Sequence, residues 1–420
     1  MKRFFTISKV CMIALMCVLF LGVGLNVKAA APNKVTGLKQ LDATSNTVRI
    51  TWNVPAASEV IGYQIEYSKS SSFDAANTSV GYMEKNTCTI PYLASGTTYY
   101  IRVAGIDTEE NIGAYSDAVE VVTSPSGGPT NFKHAKVVSK SATFSWKKVT
   151  GANSYIVEYR KVGSNGAWKT KNVGNVSSYK LSASANAKYN VNVYAVRKSK
   201  SGYEAINYTP VSGIAGTTPK KVTKVKMLTS GETGKPNAGS VYFSWTANSM
   251  ADGYECTVYG NNNKKMFTKS VNLVRTTSGN IAQLKSSKLK NDQFMKIKVR
   301  AYFMINGKKT YGAWSDDYYF AKFPKGKLDK NASKGIKVSW SKIKGAKDYT
   351  VYISKNRERG YKKATTTKKN SCLITKCNGS KIVSGRTYYI KVVANKKVGK
   401  KTFKSDDTWY LSGTIYTTYR

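Results

Sequence analysis

A tryptophan-closed β pattern recurs four times in the 420-residue sequence, and it limits the fold more than any other feature. The segments VRITW, ATFSW, VYFSW and IKVSW end on Trp52, Trp146, Trp245 and Trp340, spaced 94, 99 and 95 residues apart. Nine to eleven residues after each Trp comes a tyrosine: Tyr63, Tyr155, Tyr254 and Tyr349. Alternate positions then run Ile65/Tyr67, Val157/Tyr159, Cys256/Val258 and Val351/Ile353. A period of two marks strands with one buried face, and no helical period competes with it. The chain therefore reads as all-β, in four units. The 29 tyrosines, against 13 Phe and 7 Trp, suit strands as well.

The first thirty residues stand outside this pattern. Lys2, Arg3 and Lys9 precede an apolar run from Val10 to Leu25, and Val27-Lys28-Ala29 offers small residues at −3 and −1. A signal peptide cleaved after Ala29 is expected. The alternative, an uncleaved anchor, must contend with a 16-residue run where a span needs about 20 residues. No second hydrophobic stretch follows, so the chain is expected to be secreted, or held non-covalently at a cell surface. Cys11 and Cys17 leave with the leader. The other four, Cys88, Cys256, Cys372 and Cys377, are too scattered for a disulfide framework. Cys372 and Cys377 could close one small loop. Cys256 falls on a core position, and Cys88 and Cys372 align with Tyr179, so each also reads as a buried apolar side chain.

Further motifs tie the units to a known family. SGTTYYIRV (Ser95–Val103) and SGRTYYIKV (Ser384–Val392) resemble the turn and sixth strand of a fibronectin type III domain. The resemblance implies an immunoglobulin-like β-sandwich in which a corner tyrosine, here Tyr99, Tyr189 or Tyr388, bonds back to the preceding loop. GAYSD, GAWSD and FKSDD, at Gly113–Asp117, Gly312–Asp316 and Phe403–Asp407, resemble the lead into the last strand. The third repeat departs, with Phe294-Met295 at the corner. WKKVTGANSY and WSKIKGAKDY resemble exported bacterial versions of the domain. Proline punctuation divides the chain into a signal peptide at 1–30 and domains at 31–124, 125–218, 219–324 and 325–420, expected to form an elongated string. Trp52, Trp146, Trp245 and Trp340, with the corner tyrosines, are expected to be core anchors.

Catalytic chemistry is hard to assemble from this composition. His134 is the only histidine. Nucleophile elbows, phosphate loops, zinc helices and calcium loops are missing. Asp316-Asp317 and Asp406-Asp407 recur at one place in two repeats, which suits turn capping better than acid–base work. No enzyme, cofactor or metal site is expected.

Charge is the feature that remains. The net charge is +44, from 67 Lys and Arg against 23 Asp and Glu. It is uneven: the four domains carry −4, +12, +12 and +20 in order, and the leader +4. The hairpin before the last strand follows the same trend. DTEENIG (Asp107–Gly113) in the first repeat gives way to Arg197, Lys198 and Lys200, then to Lys308 and Lys309 beside an Asn306-Gly307 turn. The fourth carries Lys396, Lys397, Lys400, Lys401 and Lys404. These lysine-rich hairpins are the candidate polyanion-binding residues, since repeated point charges suit multivalent hold on a polymer. Trp168, Trp314, Trp409 and Tyr361 lie outside the core slots and could stack on sugar rings. The expected function is a non-catalytic binding or adhesion protein that tethers anionic cell-wall or extracellular polysaccharide, with nucleic acid bound at most non-specifically. Two alternatives stand beside it: a spacer that self-associates through acidic-to-basic domain contacts, and an accessory part of a polysaccharide-degrading system.

Overall fold

The computed structural model describes residues 31–55, 60–228, 240–276, 279–329, 335–407 and 409–415. The leader expected at 1–30 lies outside them. The chain forms two compact units. The first runs to Val137 and includes Ser141–Ser182 and Tyr189–Ala215. The second comprises Val138–Lys140, Ala183–Lys188 and the chain from Gly216 on. Apart from a 3-10 turn at Ala75–Asn77, the elements among the described residues are strands.

Every sandwich pairs a small sheet with a larger antiparallel one. The first contains β1 (Thr36–Ala43), β2 (Val48–Asn53), β3 (Gly62–Ser68), β4 (Thr78–Met83), β5 (Thr87–Ile90), β6 (Thr98–Ile106) and β7 (Val119–Val122), ordered β1-β2-β5 and β4-β3-β6-β7. The second contains β8 (Thr130–Val138), β9 (Ser141–Lys147), β10 (Ser154–Lys161), β11 (Lys169–Asn172), β12 (Ser178–Ser182), β13 (Lys188–Lys198) and β14 (Glu204–Gly216). Its sheets are β12-β9-β8 and β11-β10-β13-β14.

The third contains β15 (Lys226–Leu228), β16 (Ser240–Ser244), β17 (Gly253–Tyr259), β18 (Lys265–Val271), β19 (Val274–Thr276), β20 (Gly279–Lys285), β21 (Met295–Ile305), β22 (Lys308–Tyr311) and β23 (Tyr318–Phe320). Its sheets are β15-β16-β20-β19 and β18-β17-β21-β22, with β23 beside β21. The fourth contains β24 (Gly326–Asp329), β25 (Ile336–Trp340), β26 (Asp348–Ser354), β27 (Lys362–Thr367), β28 (Ser371–Ile374), β29 (Lys376–Cys377), β30 (Ser380–Lys381), β31 (Arg386–Val398), β32 (Lys401–Lys404) and β33 (Leu411–Ile415). It pairs β24-β25-β28 with β27-β26-β31-β32, adds β33 beside β31, and carries a separate β29-β30 hairpin.

Alternation in the sequence becomes burial. Ile336, Val338 and Trp340 are buried along β25 while Lys337 and Ser339 face solvent, and each such side chain stabilises by about 1.5–3 kcal/mol. The repeat tryptophans are 2–6% exposed. Each meets its repeat tyrosine at 5.0 Å (Trp52–Tyr63), 5.5 Å (Trp146–Tyr155), 5.2 Å (Trp245–Tyr254) or 5.4 Å (Trp340–Tyr349). The tyrosine does a second job in the last three sandwiches. Its hydroxyl accepts the backbone N–H of Val149, Asn248 or Ile343, at 2.8, 2.7 and 2.9 Å, and so fixes the loop that follows the tryptophan strand.

The corner tyrosines behave as the resemblance implies where their bonds are seen. Tyr99 accepts from Ala94 N at 2.8 Å and Tyr388 from Val383 N at 3.0 Å. Tyr189 is buried against Tyr159. In the third repeat Met295 joins that sandwich's own core, whereas Phe294 packs into the core of the fourth. The serine of each GAYSD-type motif accepts a strand N–H: Ser116 from Val103, Ser315 from Val299 and Ser405 from Ala394, at 3.0–3.1 Å.

The Cys372–Cys377 loop closure that the sequence allows does not form. All four described cysteines are free thiols. Cys372 lies on β28 opposite Val338, while Cys377 turns into the core from the β29-β30 hairpin.

Candidate functional site

The outward face of the larger sheet distinguishes the sandwiches. In the first, Glu66 on β3 stands opposite Arg102 on β6, and Arg102 Nη2 lies 2.6 Å from its carboxylate. The guanidinium sits over Phe73 and Tyr115 at 4.4 and 4.3 Å, and Tyr115 OH donates to Glu66 at 2.7 Å. Burial, then the Glu66 carboxylate, push the Tyr115 phenol up to about 12, so it remains a donor. The third repeats this device. Glu255 faces Arg300 at 2.6 Å, Arg300 covers Tyr311 and Trp314 at 3.7 and 4.3 Å, and Tyr311 OH donates to Glu255 at 3.1 Å. In the second, Glu158 accepts from Tyr194 OH at 3.0 Å.

The fourth sandwich has no such acid. Tyr352 on β26 takes the place, between Lys363 on β27 and Lys391 on β31. The two-residue period of β31 and its register with β32 bring Lys397 and Lys404 to the same face. Among the described residues none of these four lysines has an ion-pair partner. Lys391 Nζ lies 4.3 Å above the Tyr361 ring, and Tyr389 packs edge-on to Tyr410 at 5.6 Å. Burial raises the Tyr361 phenol to about 12. The result is a sheet face of uncompensated ammonium groups among tyrosines.

The hairpin residues singled out from sequence separate into two sets. Lys308, Lys397, Lys400, Lys401 and Lys404 are exposed; Lys309 is exposed over Tyr302 and donates to Ser270 at 2.9 Å. Lys198 pairs with Glu204 at 3.4 Å. Arg197, Lys200 and Lys396 instead take part in joints between sandwiches of the same unit. In the first unit, Arg197 donates to Thr98 Oγ1 at 2.7 Å and to Gly151 O at 3.4 Å, and Lys200 N donates to Glu120 at 2.8 Å. Gly96 and Gly151 touch so closely that a Cβ on Gly96 would lie 2.6 Å from Gly151 Cα.

In the second unit the same parts meet. Phe294 N donates to Lys344 O at 2.9 Å and Lys344 N to Asp292 O at 2.7 Å. Lys396 Nζ lies 5.9 and 5.3 Å from the Phe294 and Tyr319 ring centres and donates to Asn261 at 3.4 Å. Burial lowers its pKa. Arg197 and Lys396 are thus held by their own chain and do not belong with the open lysines. The signal missed was the loop after the tryptophan strand, whose Gly151 and Gly345 sit at these joints.

The other singled-out groups have local partners too. Asp316 pairs with Lys221 at 2.8 Å, while Asp317 faces Lys296 and Lys298 at 3.3 and 3.2 Å. The two carboxylates therefore serve different cations. Trp168 stands under Arg160 at 5.0 Å and Trp409 stacks on Phe323 at 5.1 Å. Among the described residues no cluster of three or more His, Cys, Asp or Glu could hold a metal, and no helix is long and apolar enough to cross a membrane.

Residues 32–122 match the family model of the fibronectin type III domain. Over 133 residues the chain is 28% identical to chitinase A1 of Niallia circulans, a match taking in 30% of this chain and 18% of that protein. The chain thus spans less than a fifth of the length of that curated relative. Among solved structures, a two-domain fibronectin type III segment of chicken tenascin is 23% identical, covering 44% of this chain and 99% of that one at a TM-score of 0.25. The FN1-FN3 domains of chicken CNTN1 are 17% identical, covering 69% and 98% at a TM-score of 0.24. The matched segment is the first sandwich, and the other three repeat its tryptophan–tyrosine pair and sheet plan. The first sandwich is a fibronectin type III domain.

Proposed function

We propose that this is an exported, non-catalytic binding and spacer protein whose fourth sandwich holds an anionic polysaccharide or cell-wall polymer. The observation that carries this reading is the β27-β26-β31-β32 face, where Lys363, Lys391, Lys397 and Lys404 lack carboxylate partners and Tyr352 stands where the first two repeats have Glu66 and Glu158. Exposed charges are screened over about 8–10 Å at ordinary salt, so the hold depends on several lysines meeting one chain. Tyrosine rings beside them suit sugar faces. The relative named as a chitinase supports a carbohydrate-degrading setting, but a neutral glycan would leave the lysines without a counterpart.

Retention of polygalacturonate by the full chain, followed across a salt series, tests this. Lys363→Gln, Lys391→Gln, Lys397→Gln and Lys404→Gln together should lower affinity at least tenfold and flatten the salt dependence, with the circular dichroism spectrum unchanged. Undiminished binding with the same salt slope would overturn the assignment.

A further inference from the structure

Two of the joints between neighbouring sandwiches, one in each unit, share the same parts in the same charge order. A corner ahead of β6 or β21 receives the loop after the tryptophan strand and the following hairpin. The carboxylate sits on the corner's sandwich, as Glu120 or Asp292, and the cation on the loop side, as Arg197 and Lys200 or Lys344 and Lys396. Between the second and third sandwiches the order is reversed: Lys188 at the corner donates to Asp252 of the loop side at 2.6 Å. The loop end of the first sandwich and the corner end of the fourth carry the same two surfaces, charged in this reversed order.

At the loop end of the first sandwich, Asp107 shapes the β6–β7 hairpin. Its carboxylate accepts from Glu109 N at 2.9 Å and Asn111 N at 2.8 Å, leaving Glu109 and Glu110 outward. Beside them lie Ile61 and Ile112, which are 53 and 46% exposed. Ile61 and Ile112 both bond to Ile106, so they are neighbours. An apolar patch with an acidic rim is the usual make-up of a docking surface.

The corner of the fourth sandwich is its complement. Gly385 matches Gly96 in the SGRTYYIKV and SGTTYYIRV segments and keeps the left-handed backbone, φ 75° against 54°. A Cβ on Gly96 would strike a neighbouring sandwich, whereas one on Gly385 meets nothing within 4 Å. Val383 beside it is 49% exposed. The β29-β30 hairpin, turning on Asn378 and Gly379, sets Lys376 opposite Lys381, and Arg386 is exposed at the start of β31.

We propose that the acidic loop end of the first sandwich docks on the basic corner of the fourth sandwich in a second copy of the chain. A polyanion would suit the corner but would leave the exposed isoleucines of the loop end unexplained. A second copy accounts for both surfaces, and it reuses a corner-to-loop contact the chain already makes between its own neighbouring sandwiches. The cation-on-corner, carboxylate-on-loop order is the one the chain itself uses where Lys188 meets Asp252 at 2.6 Å, and the joints at Glu120 and Asp292, which have the opposite order, would reject it. The contact is heterologous and propagates as a filament unless it closes on itself.

The inference goes beyond polymer binding and is read separately from it. Sedimentation velocity of the chain without residues 1–29 should show an average mass that rises with concentration and falls in high salt. Glu109→Lys with Glu110→Lys, and separately Lys381→Glu with Arg386→Glu, should each give a monomer with unchanged circular dichroism. Mixing the two variants should restore assembly, because each then presents the charge that the other needs. A wild-type chain that stays monomeric, or variants that assemble as well as wild type, would overturn the proposal. So would a Lys381→Glu, Arg386→Glu variant that loses polygalacturonate retention yet sediments as wild type, which would assign the corner to polymer instead.

Discussion

The first and fourth sandwiches share a frame and differ in what the frame displays. Both set a repeat tryptophan edge-on to a tyrosine, 5.0 and 5.4 Å apart, and both hold a corner tyrosine on a backbone N–H. Yet one is closed outward by Glu66, Arg102 and Tyr115, while the other presents Lys363, Lys391, Lys397 and Lys404 around Tyr352. Because neighbouring strand residues face opposite ways, the inward set can stay fixed while the outward set changes sign. In this protein the framework and the variable surface chemistry occupy alternate positions of the same strands.

The comparison breaks first if the frames are energetically unequal. Trp52→Ala and Trp340→Ala should each cost about 3–5 kcal/mol. Amide hydrogen exchange on β2, β3 and β6 for one, and β25, β26 and β31 for the other, reads the two losses separately. A large inequality would mean that the fourth sandwich draws on its neighbour, whose Phe294 and Ala321 enter its core. Phe294→Ala then separates these contributions: it should destabilise the fourth sandwich more than the third.

A smaller effect tests the corners. Tyr99→Phe and Tyr388→Phe remove the acceptor for Ala94 N and Val383 N, and each should cost about 1–3 kcal/mol. Chemical denaturation of the paired variants checks whether the two corners are equivalent. A difference would show that the β29-β30 hairpin, which the first sandwich lacks, braces the fourth corner independently.

The outward difference can be erased with one residue. Tyr352→Glu would return an acid to the place held by Glu66, between Lys363 and Lys391. New exposed ion pairs should change stability by no more than about 1 kcal/mol, while polygalacturonate retention falls several-fold. Unchanged retention would place the binding lysines elsewhere on the sandwich.

How far this was legible in the sequence follows from the range of each contact. The tryptophans, their tyrosines and the inward residues repeat locally, so period and spacing reveal them. The Asn306-Gly307 turn is local as well, and both residues adopt positive φ, 47° and 77°. Arg197 and Lys396 show the limit. In sequence they match Lys397 or Lys400, but their partners lie 99 residues away at Thr98 and 135 away at Asn261. No short-range pattern distinguishes a joint cation from an open one. The outward glutamates were within reach, since Glu66 and Glu158 both follow their repeat tyrosine by three positions where the fourth repeat has Tyr352. Lys363 on β27 and Lys391 on β31 carry no such local mark: charge is densest in the hairpins, and the face that gathers these two with Lys397 and Lys404 forms only when the strands pair.

The smallest expected difference is alkaline. Burial pushes the Cys88 thiol up from 9.0 to about 12 and the Cys372 thiol to about 11. Below pH 9 each thiol is protonated in the folded and unfolded states alike, so stability does not depend on it. Above that the unfolded chain loses the proton first, and stability falls as pH rises until the folded thiol titrates too. The loss therefore spans pH 9 to about 12 for Cys88 but ends near 11 for Cys372. Stability measured between pH 9 and 12 should show Cys88→Val flattening the alkaline decline over a wider range than Cys372→Val does, with the two parting above pH 11. The reverse order would mean that the half-buried Cys372 is the better shielded of the two, and that the core under β28 is drier than the core under β5.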